Sequence, residues 1–266
     1  MKINAFISST IFDATKDMIG AIDYSDFSVE HIVIVPDRFS LQMEKLLLTT
    51  LKNKALFNVK VMGLTSLAIE IFKRLNMNIE VLSSGESLLL LQNAIDNVKA
   101  DFKVFKKSGI AFCHEISKII SQLKSSGISC DDLNEKTGGL TGGKYHDIML
   151  IYKEYQNMLA GKFDANERMM LLNQVLKDSD ILSKTKFYFA QFDSFTTEGY
   201  DLIKTIITRS CEVNVSIASP LSIGNEYIYE KDILQKFSML SRECGCEIDV
   251  RYSHQEYSPQ KQALIK

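Results

Sequence analysis

The sequence predicts an α/β protein: a parallel sheet covered by helices, interrupted by an all-helical block. Three observations predict it. Ile32, Val33, Ile34 and Val35 form a β-branched run with no polar break, which suits a strand covered on both faces. Pro36 ends that run, since proline cannot donate to a sheet ladder, and from Leu41 the pattern turns helical through Leu47, Leu48 and Leu51. From about Glu80 to Lys184 the strand pattern stops and helical stripes take over, until strands return at Lys186.

Taken in order, Ile3–Ile7 reads as the first strand and Asp13–Ile22 as the first helix. The loop between them is where a nucleotide-binding protein places its phosphate loop. Here the slot is Ser8–Thr15, SSTIFDAT, which has no glycine and has Ala14 where the phosphate-loop lysine would stand, directly before Thr15. Backbone N–H groups cradle a phosphate only where the chain turns tightly, and the lysine neutralises the outer phosphates. The slot, including Ser8 and Thr10, is topologically right and chemically empty.

After the second strand come Asp37, Arg38, Phe39 and Ser40. In a parallel sheet the loop beyond a strand's C-terminal end is where ligands bind. A cation, an aromatic ring and a hydroxyl there suit a phosphate, a base and a sugar of single-stranded nucleic acid. The plainer alternative is a strand–helix turn with a solvated Arg38 and Ser40 as helix N-cap. A third strand follows near Val59–Met62, then Gly63, and a helix carrying Leu67, Ala68, Ile71, Phe72 and Leu75, with Thr65 or Ser66 as its N-cap.

In the helical block, Ser83 and Glu86 form a capping box ahead of Leu88, Leu89, Leu91, Ile95 and Val98. Phe112, Ile116, Ile119, Ile120 and Leu123 mark a second helix, and Ser129 with Asp132 opens a short one. Ile148, Ile151, Tyr152, Tyr155 and Leu159 mark another, and Asp164 with Glu167 caps a helix holding Met170, Leu171, Val175 and Leu176. Gly138–Tyr145, GGLTGGKY, imitates a phosphate loop, but Tyr145 stands where the magnesium-holding Ser or Thr belongs and no buried strand precedes it. It reads as an inter-helix loop.

The returning strands are Phe187–Phe192, then Val213, Val215 and Ile217 alternating with polar residues, and finally Glu247–Tyr252; helices are expected over Glu198–Ser210 and Glu230–Glu243. Asp193, after the first of these strands, could hold magnesium if a phosphate loop accompanied it. The polar tail Ser253–Lys266 suggests a chain cut from something longer. The predicted organisation is therefore 1–79 and 185–266 as two parts of one α/β domain, with 80–184 as a helical insertion.

Composition narrows the function classes. The chain has 266 residues, 45% hydrophobic and 24% charged, with net charge −2, so no global positive field argues for nucleic acid and any such site must be local. Arg38, Lys45, Lys52, Lys54, Lys60, Lys73 and Arg74 outnumber Glu44 and Glu70 between Arg38 and Arg74, a modest excess that fits a solvated face. The five cysteines show no CxxC spacing, so neither a disulfide framework nor a zinc site is indicated, and a reducing cytoplasm is the simple expectation. No apolar run approaches a membrane span. The four histidines are scattered, and no nucleophile–base constellation emerges; His31, opening a strand, reads as structural.

VPDRFSLQMEKLLL, VMGLTSLAIEIF and FYFAQFDSFTTEGYDLI, in this order and separation, resemble the N-terminal region of the AddB/RexB family, the B subunits of bacterial ATP-dependent helicase-nucleases that process double-strand breaks. The resemblance implies a P-loop-NTPase-like fold of the superfamily 1 helicase type, a 1A sheet domain interrupted by an all-helical 1B domain. It implies further domains in a full-length member, including a nuclease with an iron–sulfur cluster that no cysteine here can be matched to. The later strand of family members often carries an acidic residue where this chain has Ala190. With Ala14 and Ala190 in place of a cation and a carboxylate, both charge-neutralising parts of phosphoryl transfer are missing, and no ATP hydrolysis is expected. ATP with magnesium is expected elsewhere in the parent complex, and no cofactor here.

By the same resemblance, Asp37, Arg38, Phe39, Ser40, Leu64, Thr65, Ser66 and Ile69 border a channel for the 3′-ended single strand of DNA, and an AddA-type helicase-nuclease subunit is the partner. Two other readings keep the fold: a protein-interaction scaffold without a DNA role, and an ATP-binding domain with an unorthodox phosphate loop.

Overall fold

The computed structural model describes residues 1–51, 57–106, 109–132, 143–219 and 232–252. Six strands, β1 (Lys2–Ser8), β2 (Glu30–Ile34), β3 (Val59–Met62), β4 (Thr185–Phe189), β5 (Glu212–Ala218) and β6 (Glu247–Tyr252), form one sheet in the order β3-β2-β4-β5-β1-β6. Every pairing is parallel. Nine helices of regular α type are described: α1 (Ile11–Gly20), α2 (Ser40–Thr50), α3 (Leu64–Arg74), α4 (Ser84–Val98), α5 (Ile110–Ser125), α6 (Lys144–Leu159), α7 (Ala165–Lys177), α8 (Thr197–Arg209) and α9 (Asp232–Glu243). The chain divides into two compact units, Met1–Leu67 with Val175–Phe195 and Ile203–Lys266, and Ala68–Gln174 with Thr196–Leu202.

In the sheet unit the period-2 alternation of each strand sorts side chains between two faces. Phe6, Val33, Val35, Tyr188 and Ala190 pack with Met18, Ile19 and Ile22 of the α1 region and with Met43 and Leu47 of α2. Phe187 and Phe189 point the other way, where Phe189 meets Phe195 and Phe195 meets Phe237 of α9. Right-handed crossovers account for this division: β1–α1–β2 and β2–α2–β3 run one way across the sheet, and β5–α9–β6 runs back.

Several sequence expectations change here. The strand expected over Phe187–Phe192 ends at Phe189, because Gln191 turns into the left-handed region at φ 64°. Val213, Val215 and Ile217 do alternate with polar residues, yet Asn214 and Ser216 are buried as well. Asn4 Nδ2 donates to Asn214 Oδ1 at 2.8 Å, and Asn214 Nδ2 to the Phe187 carbonyl at 3.2 Å, which satisfies the polar groups inside. On α2, Leu41 and Leu48 are exposed, and the inward face is Met43 and Leu47.

The helical unit has its own core: Leu91, Ala94 and Ile95 of α4, Cys113, Ile116 and Ile120 of α5, and Ile151, Tyr152, Tyr155 and Leu159 of α6. The capping box expected at Ser83 and Glu86 forms in both directions. Asp164 accepts from the N–H groups of Asn166 and Glu167, each at 3.0 Å, and Glu167 accepts from Asp164 N–H at 3.2 Å. Within this unit Leu172 of α7 is buried, while Met170 is exposed. Lys124 is buried beside that cap, 2.5 Å from Asp164 Oδ2 and 3.0 Å from Glu167 Oε1. The GGLTGGKY loop lies largely outside the described residues; Gly143 is left-handed at φ 99° and α6 starts at Lys144.

Candidate functional site

The strand order fixes where a ligand can enter. The connection leaving β2 runs outward to β3, whereas the connection leaving β4 runs the opposite way to β5, and β2 and β4 are neighbours. In parallel sheets such a divergence of connections marks where a ligand crevice forms, here beyond the C-terminal ends of these two strands. Pairing persists to its rim, where Ala190 N–H donates to the Ile34 carbonyl at 3.0 Å and Val35 N–H to the Met62 carbonyl at 3.1 Å.

On the β2 side the chain leaves through Pro36 into a single 3-10 turn, Asp37–Phe39. Asp37 and Arg38 are exposed, and Phe39 and Ser40 are half-buried. The Arg38 guanidinium lies over the Phe39 ring, 4.7 Å from its centroid, while Phe39 also packs against the sheet core. One ring face thus belongs to the protein and the other to arginine. Ser40 is not the N-cap that the spacing suggested: it is the first residue of α2, and its hydroxyl donates to the Asp37 carbonyl at 3.0 Å. Its proton is committed, so it meets a ligand as an acceptor unless it rotates.

Asp37 also touches the next corner. A Cβ built on Gly63 would collide with Asp37 Oδ1 and stand 2.9 Å from Asp37 Cγ, so any other residue there would force the exposed Asp37 carboxylate to swing away. α3 begins directly afterwards at Leu64, which puts Thr65 and Ser66 inside its first turn rather than at its cap. Leu64 and Thr65 are half-buried, Ser66 is exposed, and Ile69 is 55% exposed further along the helix. The structure therefore brings Asp37–Ser40 and Gly63–Ser66 together at one rim. Of the cationic excess noted in this stretch, Lys60 pairs with Glu30 at 3.1 Å and Arg74 with Glu70 at 2.9 Å.

On the β4 side stands an aromatic pair that sequence reasoning missed. Phe192 and Phe195 stack at 4.5 Å between centroids with 28° between planes, half-buried at the strand exit. The available signal is two phenylalanines flanking Asp193 and Ser194, which hydropathy alone places as strand and turn.

The slot between β1 and α1 has only two residues, Ser9 and Thr10. Thr10 caps α1 by accepting from Asp13 N–H at 3.1 Å, and its own hydroxyl donates to the Asp13 carboxylate at 2.6 Å. An acidic side chain thus occupies the helix N-terminus, where a phosphate would be held. Ala14 and Thr15 are fully buried on the inward face of α1. Thr15 Oγ1 is 3.0 Å from Ser216 Oγ of β5 and accepts from Gln191 Nε2 at 3.2 Å. Ala190 is buried with its N–H spent on the sheet, and Ser8 is buried with its hydroxyl unpartnered. These residues do not fit a nucleotide triphosphate: the turn is too short, it lacks glycine, and alanine stands where the phosphate-loop lysine belongs.

Four of the five cysteines sit where the thiol, not the thiolate, is favoured. Burial pushes the Cys130 thiol up to about 11, with Asp131 adding to it, and burial also raises Cys113, Cys244 and Cys246. Cluster ligands are thiolates, which such surroundings disfavour. Among the described residues no group of three His, Cys, Asp or Glu side chains is placed to hold a metal ion. His31 is buried, its Nδ1 3.0 Å from the Tyr188 hydroxyl, in a structural position. No described helix is long and apolar enough to cross a membrane.

Fold and crevice together define an α/β protein with a six-stranded, all-parallel sheet, consistent with the P-loop-like class. The family described as "ADDB, N-terminal" matches residues 15–262, and the chain belongs to it. Among curated proteins it is similar to the B subunit of the ATP-dependent helicase/deoxyribonuclease of Clostridium novyi, 26% identical over 72% of this chain and 18% of that protein. The protein of the same name from Listeria innocua is 29% identical over 71% of this chain and 17% of its own length. That from Ruminiclostridium cellulolyticum is 21% identical over 86% of this chain and 20% of its own. The chain thus spans about a fifth of the length of the relatives it matches.

Proposed function

We propose that this chain is the N-terminal, non-hydrolysing helicase-like region of the B subunit of an ATP-dependent helicase-nuclease, acting in double-strand break repair and recombination. The sheet unit is read as a 1A-type domain and the helical unit as the inserted 1B-type domain. ATP with magnesium, the iron–sulfur cluster and the nuclease chemistry belong to other parts of the parent complex, in the cytoplasm, and an AddA-type subunit is the partner.

The observation that carries this reading is the exposed Arg38 guanidinium stacked on Phe39 at the rim of the β2/β4 crevice. Its positive charge suits a backbone phosphate, and its open planar face suits a base, since bases stack on guanidinium planes as on aromatic rings. Phe192 and Phe195 offer a second stacking surface on the opposite strand exit. Thr65 and Ser66 add hydroxyls on the β2 side, with Leu64 and Ile69 as apolar border. The strand so held is the 3′-ended one. The filled slot under α1 supports a region that follows DNA without burning nucleotide.

Titration of a labelled single strand with the full 266-residue chain at two salt concentrations tests this. Arg38→Ala and Phe39→Ala are each expected to weaken binding by about 1–3 kcal/mol, with Arg38→Ala also flattening the salt dependence. Affinity unchanged in both variants removes the site. A docking-only scaffold is the second reading, favoured by the exposed Leu41 and Leu48 on α2, 65% and 39% accessible. Binding of an AddA-type partner together with a failure to bind any single strand would establish it.

A further inference from the structure

The helical unit contains a cavity of about 160 Å³ that the DNA reading does not use. Its floor is apolar and buried, from Leu91 and Ile120, with Tyr155 and Asp164 beside them. Its walls carry hydroxyls from two helices, Ser84 and Ser87 of α4 and Ser117 and Ser121 of α5, and Asn166 from the start of α7. Ser84 and Ser121 are exposed and form an open mouth.

Charge decides what such a cavity takes. Among the described residues no cationic side chain lines it, and the capping carboxylates Glu86 and Glu167 belong to the helices that begin beside it, so an anion is disfavoured. Asp164 is the one carboxylate in the described lining, and its oxygens are already engaged. Oδ2 accepts from Lys124 at 2.5 Å and from the Tyr155 hydroxyl at 3.3 Å, and Oδ1 accepts from two backbone N–H groups. A cation would have to displace that lysine. What remains on offer above the apolar Leu91 and Ile120 is the hydroxyl of Ser117, the acceptor side of Ser87, whose hydroxyl also bonds Tyr155, and the side-chain carbonyl of Asn166, whose Nδ2 already donates to Ser121 at 3.2 Å. The volume matches a cavity that holds one six-membered ring.

We propose that this cavity binds a neutral polyhydroxylated ring, a monosaccharide, with its C–H face on Leu91 and Ile120 and its hydroxyls on Ser87, Ser117 and Asn166. The sugar could be free or carried by a nucleoside, and the experiment separates the two sources.

Saturation-transfer NMR on the full chain with ribose, and separately with thymidine, is the test. Transfer to the ribose C–H protons is expected. Ser117→Val and Ser87→Ala, on different helices, are each expected to weaken it roughly 3–10-fold, the loss of one neutral hydrogen bond. Circular dichroism melting of each variant confirms that the helices persist. Transfer to ribose alone supports a free sugar, and transfer to the thymidine sugar as well supports a nucleoside source. No transfer to ribose at millimolar concentrations, or transfer equal in wild type and both folded variants, overturns the proposal.

Discussion

Thr15 on α1 and Ser216 on β5 face each other at 3.0 Å, hydroxyl to hydroxyl, beneath the helix whose N-terminus would hold a phosphate in a nucleotide-binding relative of this fold. The bond turns that helix into a structural clamp. Replacing Thr15 by Val takes the acceptor from Gln191 Nε2 and leaves Ser216 with only its 3.5 Å bond to the Phe189 carbonyl, and is expected to cost about 1 kcal/mol in urea unfolding. The double variant Thr15→Val, Ser216→Ala should recover part of that loss, because both partners then leave together. Calorimetry with ATP and magnesium should show no heat in wild type or variant.

Gly63 and Asp37 form a second coupled pair. Gly63→Ala pushes the exposed Asp37 carboxylate off its present position and is expected to destabilise by about 1 kcal/mol, the low end of overpacking costs. Asp37→Gly in the same chain removes the obstructing carboxylate and should restore most of the melting temperature. Additive losses in the double variant would show that the two corners are not in contact.

Lys124 sits at 3% accessibility between Asp164 and Glu167. Lys124→Met removes the cation and leaves two capping carboxylates facing each other. Breaking a buried pair from one side costs about 3–5 kcal/mol. Chemical unfolding followed by helical circular dichroism should show the loss.

Asp147 gives the chain an acid limit. Burial raises its pKa, but N–H bonds from Lys103, Phe105 and Val104, at 2.8–2.9 Å, outweigh burial and leave it below the ordinary carboxylate value. Its folded pKa is depressed, so this stabilisation is complete above the unfolded value near 3.8 and is lost as pH falls through the folded one. Asp147→Asn should cost about 1–3 kcal/mol at neutral pH and flatten the acid limb of a melting-temperature profile.

Glu198 has the opposite sign. Burial, with Asp164 and then Asp201 adding to it, pushes its pKa up to about 7, and one carboxylate oxygen is buried without a partner. The folded state therefore holds this proton more tightly than the unfolded chain, and stability falls as pH rises from 4.5 to about 7. Glu198→Gln should raise the melting temperature at pH 8 and leave it unchanged at pH 4. A profile identical to wild type at both would contradict this.

How much of this could be read beforehand follows from local physics. The β-branched run at Ile32–Val35, the capping boxes at Ser83 and Asp164, and the stripe Ile151–Tyr155–Leu159 announce themselves, because each depends on residues a few positions apart. Asn214 and Ser216 looked like solvent-facing positions, since hydropathy cannot distinguish a polar group wetted by water from one satisfied by Asn4 or Thr15. Leu41 looked inward because spacing gives a helix its period but not its rotation on the sheet. Within the candidate site, Arg38 and Phe39 were legible individually, whereas their stack, the Asp37–Gly63 contact and the Phe192–Phe195 pair depend on where β2, β3 and β4 exit side by side.

The two-residue passage from β1 into α1 also constrains what evolution can do with this molecule. Installing lysine at position 14 would thrust a long charged stem into a site with no accessible surface, instead of presenting it to a nucleotide. Recovering a phosphate cradle requires extra backbone between Ser8 and Ile11 and the retreat of α1's first turn, changes of length that single substitutions cannot supply. A chain with this geometry is walled off from a simple substitutional route to a phosphate cradle at this corner.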